Sequence, residues 1–489
     1  MPTGRDHANH HGAGAHRHHH LTHQQRVLRP PPPPRAFVVK QRARNSRLGQ
    51  QASAGGCDET LLEDDESILT KPPPALVLHA RSSHHRPRNA AAAFAATLAP
   101  KDSGRPRHYL PIWYALPSLE AFRRVRASAG DGCSRKLFDF APMRPGRVKT
   151  YRFETQDAYY SQYAHSLFAL TMPRAGLDCL RHYEILASGA VPFFLQPAAL
   201  AASPLSMYGF PRELVRQASL LPGVPTADQA EEAWKVDAEL HINHTTFDLR
   251  RYCELRAALL AHTEAKLTTV ALARYFLEQL SQANPTALPH HPLRDIGQFR
   301  ILVVSSKGVS GDTWQNAFLY HGLVTLLGGR GVSSYLGRKE VLFEDFVYPH
   351  RFCCYGRGYS YARTLPTPLI YKRCGKDRAD ALLRAQLRRR LDAGYFNGIV
   401  VTSQANKCCG IRRCYGDEVL RTLNAYIRKR GNATAVATVD GSDGFGGCGG
   451  TTMANELERI DAHFLREVDV RHNGQTAKLV RAPVSSVLG

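Results

Sequence analysis

The run Ser166-Leu-Phe-Ala-Leu-Thr-Met-Pro-Arg-Ala-Gly-Leu-Asp-Cys-Leu-Arg-His-Tyr-Glu-Ile-Leu-Ala-Ser-Gly-Ala-Val-Pro-Phe-Phe-Leu195 decides how the rest of the chain is read. Ser166 to Thr171 reads as a short apolar strand, Leu177 to Ser188 has helical spacing, and Val191 to Leu195 is the next strand. A loop holding Arg174 and Gly176 leads into a helix that starts near Asp178, and Gly189 turns the chain tightly into the second strand. Open parallel sheets bind ligands beyond the carboxyl ends of their strands. The first free N–H groups of such a helix make an anion site there. Arg181 and Glu184 are three apart and share one helix face. A guanidinium fork suits a diphosphate, and a carboxylate one turn on suits a pair of ribose hydroxyls. The competing reading is an Arg–Glu pair on a solvated helix face, worth at most about 0.5 kcal/mol.

Outward from this unit, β-then-α alternation continues. Phe247 to Leu280 reads as two helices with apolar residues at i, i+3 and i+4. The stretch from Asn284-Pro285 to His291-Pro292 breaks the pattern. Beyond it come a strand at Ile301–Val304, a helix from Thr313 to Leu327, a helix at Ala379–Leu391 and a strand at Gly398–Thr402. A helix at Glu418–Arg430 and a strand at Ala433–Val439 complete the series. Repeated units of this length predict an α/β fold of two Rossmann-like, doubly wound lobes. The expected organisation is a disordered tail over 1–107, a first lobe over 108–284, a linker over 285–297, a second α/β lobe over 298–470 and a tail over 471–489.

Composition narrows the function. The chain has 489 residues, 64 Lys+Arg against 42 Asp+Glu, a formal net charge of +22 and 43% hydrophobic residues. That apolar content excludes wholesale disorder, and no stretch approaches the roughly 20 apolar residues of a spanning helix. The first part differs from the rest: residues 7–23 hold eight histidines, Pro30 to Pro34 is a proline run, and residues 1–57 carry nine Lys/Arg and one acid. Polyproline is extended and solvated, so a tail is expected there. Its histidines can bind metal, and its Arg-rich, acid-poor start also fits an organelle transit peptide. The eleven cysteines contain no C-x-x-C pair, so zinc spacing is absent; buried free thiols with a disulfide or two are expected. There is no G-x-x-x-x-G-K-[ST] phosphate loop and no 12-residue Ca²⁺ loop.

Ser166-x-Phe168, Gly176, Arg181-x-x-Glu184 and Gly189-x-x-Pro192 resemble the nucleotide-sugar-binding signature of exostosin-type (GT47-like) glycosyltransferases. Residues 178–194 are most like the divergent algal and protist members. Asp312 through His321-Gly-Leu323, Tyr355 to Arg363 and Val439-Asp-Gly-Ser-Asp443 are also similar to those proteins, so the resemblance covers roughly residues 150–470. It implies a two-lobed GT-B fold and inverting transfer from a UDP- or GDP-sugar donor to a glycan or glycoprotein acceptor. It implies no cofactor and no essential metal, and work in the Golgi or another secretory lumen. Carried over, Arg181 meets the diphosphate and Glu184 the ribose, with Arg174, Gly176 and Gly189 around them. The chain departs from the family in having Ala190 where a Cys is usual, and in placing an α/β lobe after the nucleotide-binding one.

No catalytic base follows from the resemblance. Asp440 and Asp443, at a strand's carboxyl end in a glycine-rich loop, are the physical candidates, and a solvated turn is the alternative for them. Two further classes compete with the enzyme: an inactive sugar-binding or scaffold protein, and a nucleic-acid binder. The latter is motivated by Arg384, Arg388, Arg389 and Arg390 on one helix, with no nucleic-acid motif beside them.

Overall fold

A computed structural model of the chain describes residues 108–467, apart from 131, 134–135, 152, 154, 174–175, 204–205, 289–294, 306–313, 338, 347–362, 404–410 and 442–455. The tails expected over 1–107 and 471–489 lie outside the described residues. In chain order these residues form β1 (His108–Pro111), α1 (Glu120–Ser128), β2 (Phe138–Phe140), α2 (Gln156–Ala164), β3 (Ser166–Thr171), α3 (Leu180–Ala187) and β4 (Val191–Phe194). Helices α4 (Pro197–Ala202), α5 (Arg212–Ser219), α6 (Ala227–Lys235), α7 (Leu249–Lys266) and α8 (Thr269–Ala283) come next. Then follow β5 (Ile301–Val304), α9 (Trp314–Gly331), β6 (Val332–Ser334), α10 (Leu369–Cys374), α11 (Lys376–Asp392), β7 (Gly398–Thr402), α12 (Ile411–Tyr415), α13 (Asp417–Arg430), β8 (Ala435–Asp440) and β9 (Ala462–Leu465).

The fold is mixed α/β with parallel sheets. Three strands run in the order β2-β3-β4 and six in the order β1-β9-β8-β7-β5-β6, every pairing parallel. Parallel strands need both faces covered, so their sequences read as continuous apolar runs. Alternation sorts them between two cores: Ile301, Val303 and Val400 join one cluster, while Leu302, Val304, Ile399 and Val401 join the other with Leu387, Leu423 and Ile427 of α11 and α13.

The sequence break near Asn284 falls between β4 of the three-stranded sheet and β5 of the six-stranded one, while β1, ahead of both, already belongs to the larger sheet. The chain enters the six-stranded sheet through β1, leaves to build β2-β3-β4, and is back against the larger sheet by α8, which packs on α9, β8 and β9. The two crossings run side by side: the Leu116 N–H donates to the Leu267 carbonyl at 2.8 Å, and the Thr269 N–H to the Leu116 carbonyl at 3.0 Å. Asn284 itself is buried, its amide donating to Asp461 Oδ2 at 3.2 Å. β1 pairs with β9, more than three hundred residues later in the chain. Local composition carries no record of such a partner.

A disulfide joins Cys133, ahead of β2, to Cys253 in α7. Cys374 and Cys414 are disulfide-bonded as well, and Cys179 is the free thiol among the described residues. Among the described cysteines, free thiols are therefore the minority.

Candidate functional site

Helix α3 is buried at every position from Leu180 to Ala187, because it lies over the small sheet and is roofed by α2 and α7. The surface-pair reading of Arg181 and Glu184 is thereby overturned: the two residues are 5% and 6% exposed. They face the tyrosines of α2, whose N-cap Thr155 accepts the Ala158 N–H at 3.1 Å. Tyr159 and Tyr163 fall four apart on one face of that helix and Tyr160 beside them, all buried. The Tyr159 hydroxyl donates to Glu184 Oε2 at 3.2 Å and the Tyr160 hydroxyl to Oε1 at 3.3 Å. The Arg181 guanidinium lies over the Tyr151 ring, 5.6 Å from its centroid. Burial pushes the Glu184 carboxyl up to about 7, against the pull of Arg181 and the two tyrosine hydrogen bonds.

The loop between β3 and α3 is fixed by its own polar groups. His182 Nε2 contacts the Leu177 carbonyl at 3.1 Å and Nδ1 contacts Thr171 Oγ1 at 2.9 Å. A carbonyl only accepts, so Nε2 carries the proton and Nδ1 accepts from the hydroxyl. Burial holds this ring neutral, its pKa lowered to about 3. Asp178 accepts the Tyr114 N–H at 2.9 Å and the Tyr183 hydroxyl at 2.8 Å. Burial outweighs these bonds and the nearby Arg466, and raises its pKa to about 6.

The larger sheet reaches this loop from its own carboxyl edge. Arg466 and Glu467 directly follow β9; Arg466 Nη1 donates to the Asp178 carbonyl at 3.0 Å, and Glu467 Oε1 accepts the Asp178 N–H at 2.8 Å. Arg466 is fully buried with its guanidinium 4.6 Å from the centroid of Tyr114. Carboxyl ends of strands from both sheets thus converge on residues 176–178. The sequence reading passed over Asp178 as a helix start and did not single out Arg466 or Glu467. Their one local signal was a charged pair closing the apolar run Ala462–Leu465.

Among the residues singled out from sequence, Gly176 lies against Glu467 and Arg466 ahead of α3, while Arg181 and Glu184 in the helix face Tyr151 and the tyrosines of α2. An added Cβ at Gly176 would meet the Glu467 carboxylate, so the glycine leaves this side chain its place. Gly189 lies past the opposite end of α3, at the amino edge of β4, two residues beyond the last helical residue Ala187. There it has φ +82°, and its carbonyl accepts from Arg256 Nε at 2.8 Å. That is a turn residue away from the strands' carboxyl edge. Asp440 ends β8, is buried, and accepts the Ser403 hydroxyl at 2.9 Å; its carbonyl accepts the Arg466 N–H at 3.0 Å. It therefore sits one strand from Glu467 rather than in a solvated turn. Arg174, Asp443, Asp312 and residues 355–362 lie outside the described residues. Of the α11 arginines, Arg390 is engaged with Ser333 Oγ at 2.8 Å and with the Tyr395 ring, while Arg384, Arg388 and Arg389 are exposed.

Among the described residues no group of three His, Cys, Asp or Glu side chains is placed to hold a metal ion, and no helix is long and apolar enough to cross a membrane. Compared with known proteins, the chain matches no family model, no curated protein and no solved structure. The exostosin-like resemblance rests on its residues alone.

Proposed function

We propose that the chain is a glycosyltransferase of exostosin type, with two lobes in a GT-B-like arrangement, that moves a sugar from a UDP- or GDP-sugar to a glycan or glycoprotein hydroxyl. The observation that carries this reading is the buried Arg181–Glu184 pair beneath Tyr151, Tyr159 and Tyr160, in the first turns of the helix that follows β3. Burying a carboxylate and a guanidinium is costly in a structural helix, where apolar residues of the same volume serve as well or better. A donor supplies the reason to keep them: Arg181 pairs with the diphosphate, Glu184 with the ribose, and the tyrosines form an aromatic wall beside them. Departure of the nucleoside diphosphate is then assisted by fixed charge rather than by covalent chemistry.

An oxidising secretory lumen is the compartment that suits this chain. Four of its five described cysteines are in disulfides, which persist there and are reduced in the cytosol.

Thermal shift of the full chain against a panel of UDP- and GDP-sugars tests the donor site, since stabilisation grows as RT ln(1 + [L]/Kd) and millimolar ligand reveals weak binding. The expected result is a shift with sugars of one nucleotide, lost in Arg181→Lys, which keeps the charge but not the planar fork. No shift with any member of the panel would remove the donor-site assignment.

A further inference from the structure

The glycosyl-transfer reading leaves the proton acceptor unnamed, and the convergence at residues 176–178 supplies one. We propose that Glu467, which rests on that reading, is the general base that takes the proton of the acceptor hydroxyl.

Glu467 stands two residues past β9, at the carboxyl edge of the six-stranded sheet, and reaches the loop that opens the donor helix of the other sheet. It thus brings a carboxylate from the six-stranded sheet to the loop ahead of that helix, at the carboxyl edge where open parallel sheets bind ligands. Its two oxygens are not equivalent. Oε1 is anchored by the Asp178 N–H at 2.8 Å, which fixes the carboxylate. Oε2 is shielded from solvent and has no hydrogen-bond partner among the described residues. A buried carboxylate oxygen without a donor is costly, and an incoming hydroxyl satisfies it. Gly176 has no Cβ at the one place where a methyl group would push this carboxylate aside.

The groups facing Glu467 suit it to hold a proton transiently. Burial pushes its carboxyl up to about 7, with Asp178 adding to the rise and Arg466, the Asp178 N–H and the Ser206 hydroxyl opposing it. Arg212 lies within electrostatic reach on the same side, and its guanidinium donates to the Leu200 carbonyl at 2.6 Å and the Ser203 carbonyl at 2.9 Å. A base with a pKa near the working pH is both largely deprotonated and basic enough to act. In the transfer, the acceptor O–H bond breaks and its proton goes to Oε2 as the oxygen bonds to the anomeric carbon. The bond from that carbon to the donor's phosphate oxygen breaks, and its electron pair leaves with the nucleoside diphosphate. No redox partner is needed.

Asp440, the base candidate drawn from sequence, is less suited: its Oδ1 already holds the Ser403 hydroxyl, and it lies on the strand beyond Arg466.

The test uses the full chain, whichever UDP- or GDP-sugar gives the thermal shift, and free nucleoside diphosphate release as the readout, with water and methyl glycosides as acceptors. Glu467→Gln is isosteric, and its amide oxygen still accepts the Asp178 N–H, so the loop is retained. We expect release to fall about 100-fold or more with the thermal shift kept, the usual scale of a lost general base. The wild-type rate should rise with pH through about 7, and that limb should vanish in the variant. Glu467→Asp should restore part of the rate. Release within about threefold of wild type in Glu467→Gln, or an unchanged pH profile, overturns the base assignment and leaves the donor site standing. A wild-type chain that binds a donor and never releases nucleotide overturns it equally. Absence of any donor shift takes down the enzyme reading first, and the base with it.

Discussion

Glu467 accepts the backbone N–H of Asp178 at 2.8 Å, and this bond ties the end of a strand in one parallel sheet to the loop after a strand in the other. An added Cβ at Gly176 would lie 2.4 Å from the same carboxylate oxygen and 3.1 Å from its carbon. Gly176→Ala should therefore cost about 1–3 kcal/mol of stability, the range for forcing a methyl group into a packed site. In Glu467→Ala the obstructing carboxylate is gone, so the second substitution should cost much less there. A double-mutant cycle by urea denaturation checks this, and additive effects would mean that the contact does not constrain the loop.

Glu184 offers a test that depends on pH. Its folded-state pKa of about 7 lies above the ordinary value of 4.5. Between those values the folded chain holds a proton that the unfolded chain has released, so the stability this group contributes is complete below about 4.5 and is lost as pH rises through 7. Glu184→Gln removes the titration while keeping an acceptor for the tyrosines. The stability of the variant should gain on wild type by an amount on the order of 2–3 kcal/mol between pH 5 and pH 8, seen as a rise in its relative Tm. Parallel Tm curves for the two proteins across that range would refute the buried, proton-holding carboxyl.

The Cys133–Cys253 disulfide closes a loop of 120 residues. Replacing both cysteines with serine should lower stability by about 2–5 kcal/mol, because the unfolded chain regains the freedom the link removes. Denaturant midpoints of the variant and of the oxidised wild type measure it. Equal midpoints would show that the link contributes nothing.

Gly189 should tolerate substitution poorly for a reason unconnected with any ligand. Its φ of +82° is one L-residues avoid, and a Cβ there would lie 2.8 Å from Arg256 Nη2. Gly189→Ala is expected to cost about 1–2 kcal/mol or more and, because the turn lies past the far end of α3 from the proposed donor site, to leave any nucleotide-sugar affinity unchanged. Loss of affinity without loss of stability would return Gly189 to the donor site.

Much of the secondary structure was legible because it is local. The apolar runs at 166–171, 191–195, 301–304 and 398–402 became β3, β4, β5 and β7, and the helical periodicities at 177–188 and 247–280 became α3, α7 and α8. The three-residue strands β2 and β6 are too short to give a periodic signal, and β1 was seen only as the place where folded sequence begins. The site was half legible. Arg181 and Glu184 stood out by spacing within one helix, but spacing does not tell a solvated face from a buried one. That was decided by the tyrosines of α2, which no pattern in α3 announces.

By itself, the sequence determined that parallel β-α units would form, where most of them begin and end, and that Arg181 and Glu184 would share a helix face. Those properties depend on residues within a turn or two of one another, where sterics and apolar periodicity act directly. Only the tertiary structure decided that β1 joins β9, that the chain passes out of the larger sheet and back into it, and that Glu467 meets Asp178 from 289 residues away. Such pairings are selected by the burial of whole sheet faces and by the need to satisfy groups enclosed between them, and neither is a property of any single segment.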